Sequence, residues 1–266
     1  VGAVALAGIT YVSSSGIAAQ LIREMGWMRS EVAKRAIGIL VFEDLALAPY
    51  LPLLTSLVLG VSAVSGLISV GIALAITGLV ILISFKGSNR LTRILNPNEP
   101  GALLLTVFGA ALLAAGLADL IGFSGVVAAF LIGLLLTGEV AETARARLGP
   151  IRDIFAAIFF VFFGLSTDPR DMPAVIPLAL VMLVFGIVGK MLTGWWVTRD
   201  LSDRMSWRRA GAFLTARGEF SMVIAALAAP AVTALNLQAL TLTYVILTSI
   251  AASILLWVTR SQLERK

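Results

Sequence analysis

Five ionisable side chains lie well inside long apolar stretches of this 266-residue sequence, away from the ends of those stretches: Glu43, Asp44, Lys190, Arg217 and Glu219. Ionisable groups at membrane depth are costly, and by default they mark a pathway for ions, protons or substrates. A carboxylate can bind either a proton or a cation, and a nearby ammonium or guanidinium group can balance its charge. These residue types predict reversible ion or proton binding rather than the breaking of covalent bonds.

These charges share one level along their segments. At about 1.5 Å per helical residue, they lie roughly 10–13 Å from the basic end of each segment, and Ser14 lies about 12 Å from it. Nothing in the separate segments forces this coincidence, so it favours one site formed by four segments.

The elements that must position this site are nine apolar segments. A spanning helix needs about 20 apolar residues, and the candidates are 1–22, 36–58, 62–85, 101–121, 123–138, 150–167, 174–198, 210–230 and 238–260. Only 13% of the residues are charged and 59% are hydrophobic, whereas soluble domains carry about 25% charged residues. The sequence therefore predicts an all-α polytopic membrane protein.

Lys and Arg residues alternate between the two ends of these segments. After successive segments the chain carries 4, 0, 3, 0, 3, 1, 4, 0 and 3 of them. Because cytoplasmic loops accumulate basic residues, nine spans with residue 1 outside and residue 266 in the cytoplasm account for the pattern. We expect a multi-pass protein in the lipid bilayer of the cell inner (plasma) membrane.

The composition disfavours several function classes. The chain has no cysteine and no histidine, which argues against thiol chemistry, metalloenzymes and Ser–His hydrolases. No phosphate-cradling glycine motif is present, and the net charge of +5 comes from loops. We predict no enzyme activity, no cofactor, no metal beyond a transported monovalent cation, and no nucleic-acid partner.

Two segments contain residues that weaken a helix midway. These are Ser13-Ser14-Ser15-Gly16 in the first segment and Arg217-Gly218-Glu219 in the eighth. Serine hydroxyls compete for backbone groups, and paired interruptions in oppositely directed segments are typical of inverted-repeat transporters. Helix dipoles favour Arg217 at the end of one half-helix and Glu219 at the start of the next.

The same residues also have purely structural interpretations. Glu43 and Asp44 point about 100° apart on a helix, so only one can face Lys190. Lys190 could instead extend toward the cytoplasm, and the serine run could pack against another helix. Arg217 and Glu219 could stabilise backbone ends rather than contact a substrate.

In this order, four motifs resemble the bacterial monovalent cation:proton antiporter-2 family: Ser13-Ser14-Ser15-Gly16, Val41-Phe42-Glu43-Asp44-Leu45, Gly189-Lys190 and Arg217-Gly218-Glu219-Phe220-Ser221. That family includes Kef-type potassium efflux transporters and sodium/proton exchangers. The resemblance implies an inverted-repeat fold with two discontinuous crossed helices, an elevator mechanism and a homodimer. It assigns the exchanged ion to Asp44 and places Ser13 and Ser14 on the first unwound stretch. We therefore expect Asp44, Glu43, Ser13 and Ser14 to form the cation- and proton-binding site, with Lys190 as the charge partner of Glu43.

The resemblance also implies a domain organisation. Residues 1–58 and 168–266 would form two parts of a core (transport) domain, 59–85 a linker helix, and 86–167 part of a dimerisation domain. Relatives carry further N-terminal helices, which we expect to be missing from these residues. The acidic pair Glu43-Asp44 departs from the Asp-Asp and Gln-Asp pairs of the family, so it predicts no ion preference.

The predicted function is therefore exchange of K⁺, Na⁺ or both for protons at Asp44. One alternative is a sodium-coupled organic-anion symporter of similar architecture, which would need a substrate cavity. Another is a non-transporting membrane sensor or a channel subunit, for which a polar face along a whole helix is expected. A separate soluble regulatory subunit is compatible with the sequence, although no residue indicates one.

Overall fold

The ordered elements of the computed structural model are helices. The structure describes residues 1–60, 99–120, 125–136 and 138–261, with a few further positions between 67 and 82. The longer elements are α1 (Gly2–Tyr11), α2 (Ser15–Glu24), α3 (Glu31–Val58), α4 (Pro100–Leu120), α5 (Gly125–Leu135), α6 (Gly138–Leu165), α7 (Met172–Thr198), α8 (Ser206–Phe213), α9 (Glu219–Ala228) and α10 (Leu237–Ser261). Short 3₁₀ turns at Pro169–Asp171 and Ala229–Ala231 precede α7 and follow α9. The predicted all-α class is confirmed.

Six stretches among the described residues are long and apolar enough to cross a membrane. They are Gly2–Glu24, Glu31–Val58, Gly101–Ala118, Gly138–Leu165, Pro169–Thr198 and Leu237–Thr259, and Glu219–Ala231 is a shorter apolar helix. The chain is therefore a multi-pass membrane protein, as predicted. The span predicted at 62–85 and the linker predicted at 59–85 lie mostly outside the described residues.

Two helices extend beyond the predicted segments. The segment predicted at 150–167 is the second half of α6, which begins at Gly138 and contains Pro150 in its interior. A proline is tolerated inside a membrane helix when neighbouring groups satisfy the carbonyl it frees. Likewise, α3 begins at Glu31 rather than residue 36 and contains two prolines, Pro49 and Pro52.

The chain divides into two compact units, with boundaries inside α3 and α6. One unit comprises Val1–Ala46 and Val161–Lys266, and the other comprises Leu47–Phe160. In the second unit, Leu103 and Val107 of α4 form a buried cluster with Val140 of α6.

Aliphatic, small and aromatic side chains form a buried core in the first unit. The Trp27 and Phe213 rings meet edge to face with centroids 5.9 Å apart. A Cβ at Gly194 would lie 2.5 Å from both the Gly211 nitrogen and the Trp207 oxygen, so glycine permits the close approach of α7 and α8. Membrane helices associate through such packing because lipid is as apolar as their side chains.

An ion pair in the first unit ties the start of α3 to the end of α7. The Arg35 guanidinium donates to both carboxylate oxygens of Asp200 and, at 2.6 Å, to the Val197 carbonyl. The hydrogen bond from Arg35 lowers the pKa of Asp200 to about 2, so this carboxylate is ionised at neutral pH. The contact links the two helices that carry Glu43 and Lys190.

Candidate functional site

The two interrupted helices meet at their breaks. Between α1 and α2, Val12 and Ser14 have extended backbone, and Ser14 caps α2 by accepting from the Ile17 N–H. Between α8 and α9, residues 214–218 leave the helix. Both interruptions therefore occur where the serine run and the Arg-Gly-Glu motif predict them.

Direct hydrogen bonds join the two unwound stretches. The Ser14 N–H donates to the Ala216 carbonyl at 2.8 Å, and the Ser13 hydroxyl donates to the Leu214 carbonyl at 2.7 Å. A Cβ at Gly218 would lie 2.5 Å from the Ser14 hydroxyl oxygen. Buried backbone groups need partners, and here each break supplies partners to the other.

Glu43 and Lys190 form a buried ion pair beside the first break. The Lys190 ammonium donates to Glu43 Oε1 at 2.5 Å and to the Tyr11 carbonyl at 2.7 Å. The other carboxylate oxygen of Glu43 accepts from the Ser13 N–H at 2.8 Å. Glu43 and Lys190 are only 4% and 7% exposed, and both oxygens of Glu43 are engaged.

Asp44 is the other acid of the pair, and it is left with a free oxygen. Its Oδ1 is buried and has no hydrogen-bond partner among the described residues. Glu219 and Glu43 both interact electrostatically with it. A buried carboxylate oxygen without a donor is costly unless a proton or a cation occupies it, so Asp44 is the open position of the cluster.

Arg217 binds the carbonyl ends of both broken helices. Its guanidinium donates to the Thr10 carbonyl at 3.0 Å and to those of Leu214 and Thr215 at 2.8 and 2.9 Å. The side chain is 1% exposed. A fixed cation at two helix C-termini opposes the partial negative charge that the dipoles place there.

Glu219 lies in the first turn of α9, at the helix N-terminus that follows the second break. The Ser14 hydroxyl, at the N-terminus of α2, donates to Glu219 Oε2 at 3.4 Å. The N-termini of two half-helices thus meet around one carboxylate, where the dipoles favour negative charge.

The structure therefore connects six of the predicted site residues by hydrogen bonds: Ser13, Ser14, Glu43, Lys190, Arg217 and Glu219. The seventh, Asp44, is adjacent to Glu43 and within electrostatic range of Glu219. Among the described residues, no group of three or more His, Cys, Asp or Glu side chains is arranged to hold a metal ion.

The sequence did not predict that backbone carbonyls of α1 and side chains of α10 contribute to the site. The carbonyls of Thr10 and Tyr11 can accept from Arg217 and Lys190 because α1 ends there. The Thr248 hydroxyl accepts from the Arg217 N–H at 3.2 Å, and the Tyr244 ring lies 6.0 Å from the guanidinium. A polar stripe of Thr241, Tyr244 and Thr248 in an apolar helix was the available signal.

A cavity of about 480 Å³ opens beside the ion pair. Glu43, Lys190 and Arg217 form its polar side, while the remaining wall is mostly apolar and includes Phe42 and Phe185. Phe42 and Phe185 are 69% and 73% exposed. Asp44 does not line this cavity, so the cavity borders the Glu43–Lys190 pair rather than Asp44.

Known proteins match nearly the whole chain. The family described as sodium/hydrogen exchanger, transmembrane, matches residues 1–259. The K⁺/H⁺ antiporter subunit KhtU of Bacillus subtilis is 31% identical over 225 residues, covering 83% of this chain and 55% of that protein. The ammonium/H⁺ antiporter subunit AmhT of Alkalihalophilus pseudofirmus is 31% identical over 241 residues, covering 87% of this chain and 60% of that protein.

A third relative is the glutathione-regulated potassium-efflux system protein KefC of Klebsiella pneumoniae, 28% identical over 98% of this chain and 43% of its own length. The chain thus spans about half the length of the curated relatives it matches. The match to residues 1–259 includes both interruptions and the charges between them. The chain therefore belongs to the sodium/hydrogen exchanger transmembrane family, and its relatives are Kef-type antiporters of the monovalent cation:proton antiporter-2 group.

Proposed function

We propose that the protein carrying this chain exchanges a monovalent cation for a proton across the membrane, with Asp44 as the shared binding group. The observation that carries the proposal is the unequal use of two adjacent acids. Both oxygens of Glu43 accept hydrogen bonds, whereas Oδ1 of Asp44 is buried without a partner. One carboxylate builds the site and the other is free to titrate or to bind.

Competition at one carboxylate couples the two fluxes. A proton or a monovalent cation neutralises Asp44, and both cannot do so at once. An unneutralised carboxylate is expensive to carry across an apolar barrier, so only the occupied site changes its exposure. Ser14 and the unwound backbone offer oxygen ligands to a dehydrated cation at the breaks. The names of the relatives make K⁺ the first ion to test, followed by ammonium and Na⁺.

Glu43, Lys190, Arg217 and Glu219 hold the site in this proposal. Lys190 fixes Glu43, which in turn fixes the Ser13 amide. Arg217 clamps the two helix C-termini, while Glu219 lies against Ser14. These charges stay in place while Asp44 changes occupancy.

We also propose an elevator mechanism in a homodimer. Residues 1–58 and 168–266 are the transport domain, 59–85 the linker helix and 86–167 part of the dimerisation domain. The compact unit of Val1–Ala46 with Val161–Lys266 supports grouping the two ends of the chain. The distribution of basic residues supports an orientation in the inner membrane with residue 1 outside and residue 266 on the cytoplasmic side.

The experiment uses the full-length protein in inside-out vesicles with an imposed proton gradient. Addition of K⁺, ammonium, Na⁺ or Li⁺ is followed with a pH-sensitive dye, for wild type and Asp44→Asn. We expect at least one cation to collapse the gradient in wild type and none to do so in Asp44→Asn. Asp153→Asn is the matched control, because Asp153 is an exposed acid of α6 paired with Arg152. Cation-dependent proton flux that persists in Asp44→Asn would exclude Asp44 as the shared group.

A further inference from the structure

Two neighbouring cavities at the arginine-rich end of α7 share Trp195 and Trp207 as walls. The first, of about 550 Å³, is entirely apolar and also includes Ile187, Val188, Met191 and Leu192. The second, of about 380 Å³, contains the two arginines Arg199 and Arg204 together with Asp203. Both cavities lie within the unit of Val1–Ala46 and Val161–Lys266. A polar pocket therefore continues into an apolar groove along one helix.

The polar pocket is lined by more basic than acidic side chains. Its acid, Asp203, is already engaged: Oδ2 accepts from Arg209 at 2.7 Å and Oδ1 accepts from the Met205 N–H at 3.0 Å. Within the part of the chain that the structure describes, neither Arg199 nor Arg204 forms an ion pair. Two arginines without an ion-pair partner among the described residues therefore line a pocket whose acid pairs with a third arginine.

The apolar groove faces outward on the membrane-length helix α7. Leu192 is 61% exposed and Trp195 is 55% exposed, which suits contact with lipid rather than with water. Tryptophan is enriched at the level of lipid headgroups. The cavity pair therefore has the polarity profile of a single phospholipid, with charge at the interface and an apolar channel toward the bilayer centre.

We propose that this pair of cavities binds an anionic phospholipid. Arg199 and Arg204 hold the phosphate, and an acyl chain lies in the groove between Trp195 and Trp207. The proposed membrane orientation puts this end in the cytoplasmic leaflet, where juxtamembrane basic residues attract anionic lipids. Asp200, next to Arg199, binds Arg35 at the start of α3. The lipid would thus stabilise the end of α7 two turns beyond Lys190.

Lipid binding is measured on the purified full-length protein by native mass spectrometry. The protein in detergent is titrated with dioleoylphosphatidylglycerol or dioleoylphosphatidylcholine. The test variant combines Arg199→Gln with Arg204→Gln. The control combines Arg145→Gln with Arg147→Gln, which removes the same charge from exposed positions on α6. Lipid retention is read independently of ion exchange, so this proposal and the proposed function can fail separately.

Each arginine contact near a membrane surface contributes about fivefold to the binding of an anionic lipid. We therefore expect the test variant, which loses two arginines, to bind phosphatidylglycerol about 25-fold more weakly. Phosphatidylcholine binding and the control variant should not change. Glycerol phosphate at the same concentration should not displace the lipid, because it lacks the acyl chain. Equal phosphatidylglycerol binding by test and control variants would overturn the proposal. Displacement by glycerol phosphate would overturn it too, by identifying a site for soluble anions.

Discussion

At the scale of single residues, the site depends on two neighbouring acids having opposite tasks. Glu43 and Asp44 are consecutive, so their side chains leave α3 in different directions. Glu43 meets Lys190 and the Ser13 amide, and Asp44 keeps a buried oxygen without a donor. The Lys190 ammonium therefore stabilises Glu43 directly, and Asp44, the proposed binding group, keeps a free oxygen.

The Glu43–Lys190 pair should show the energetics of a buried ion pair. Removing one partner leaves an uncompensated buried charge and costs about 3–5 kcal/mol, whereas removing both is often close to neutral. We expect Glu43→Gln and Lys190→Met each to lower the apparent melting temperature in detergent, and the double variant to recover most of the loss. Transport in these variants should change its pH dependence more than its maximal rate.

Fluorescence-detected thermal shifts of the two single variants and the double variant measure this coupling. Glu142→Gln, an exposed acid of α6, controls for loss of a carboxylate. A double variant as unstable as the sum of the two single variants would show that the pair does not act as one unit.

At the scale of helices, the central feature is that the two interrupted helices satisfy each other's backbone hydrogen bonds. The first break offers the Ser14 amide and the Ser13 hydroxyl, and the second offers the carbonyls of Ala216 and Leu214. Arg217 then binds carbonyls from both sides. Each break would be costly alone in a membrane, because unpaired backbone groups cannot turn to water there.

Gly218 should be essential to this contact because it lies against Ser14. A Cβ at position 218 would be 2.5 Å from the Ser14 hydroxyl oxygen and 2.7 Å from its Cβ. We expect Gly218→Ala to push the breaks apart, lower the apparent melting temperature and reduce exchange. Gly109→Ala should have little effect, since a Cβ there meets nothing within 4 Å.

Additional substitutions at Ser14 show whether Gly218→Ala lowers the melting temperature through a steric clash with Ser14 or through the backbone conformation at position 218. Adding Ser14→Gly to Gly218→Ala removes both clashing atoms and should restore part of the stability. Adding Ser14→Ala removes only the hydroxyl oxygen and should restore less. Equal rescue by both changes, measured as melting temperature, would show that the Ser14 Cβ contact is not the cause.

The interruptions could be predicted from sequence because they depend on local chemistry. A serine run and an Arg-Gly-Glu motif are unusual inside apolar segments, and the helix dipole fixes which charge suits which end. The long helix α6 could not be predicted in the same way. Gly149-Pro150 has the pattern of a helix start, yet the helix continues through Pro150, since tertiary surroundings decide whether the freed carbonyl is satisfied.

The pairing within the site was also beyond local reasoning. Spacing alone requires that Glu43 and Asp44 face different neighbours but does not say which of them meets Lys190. That choice depends on the rotation of α3 against α7, and the structure assigns Glu43. The Thr248 contact to the Arg217 amide likewise depends on the packing of α10, because Thr248 lies 31 residues further along the chain than Arg217.

At the scale of the whole molecule, the two ends of the sequence form one compact unit while residues Leu47–Phe160 form another. Every residue of the candidate site lies in the first unit, on α1, α3, α7, α9 or α10 or at the two breaks. An elevator mechanism requires this property, because a site that moves with its scaffold keeps its own geometry.

A disulfide inside the first unit tests whether this unit moves as one body. A Cβ at Gly2 would lie 3.5 Å from Val232 Cγ1, which is within the reach of a disulfide between the two positions. None of the 266 residues is a cysteine, so no other thiol among them competes for disulfide formation. The variant combines Gly2→Cys with Val232→Cys and is oxidised in vesicles before exchange is measured.

We expect the cross-linked protein to retain most of its cation-dependent proton flux, because rigid-body motion of the unit does not separate α1 from the turn after α9. The single-cysteine variants, treated with the same oxidant, control for oxidation elsewhere. If oxidation abolishes exchange in the double variant alone, and a reductant restores it, α1 must move relative to that turn during transport. Such a result would replace the elevator with a mechanism in which the broken helices themselves rearrange, and Asp44 would then change its exposure without movement of the whole unit.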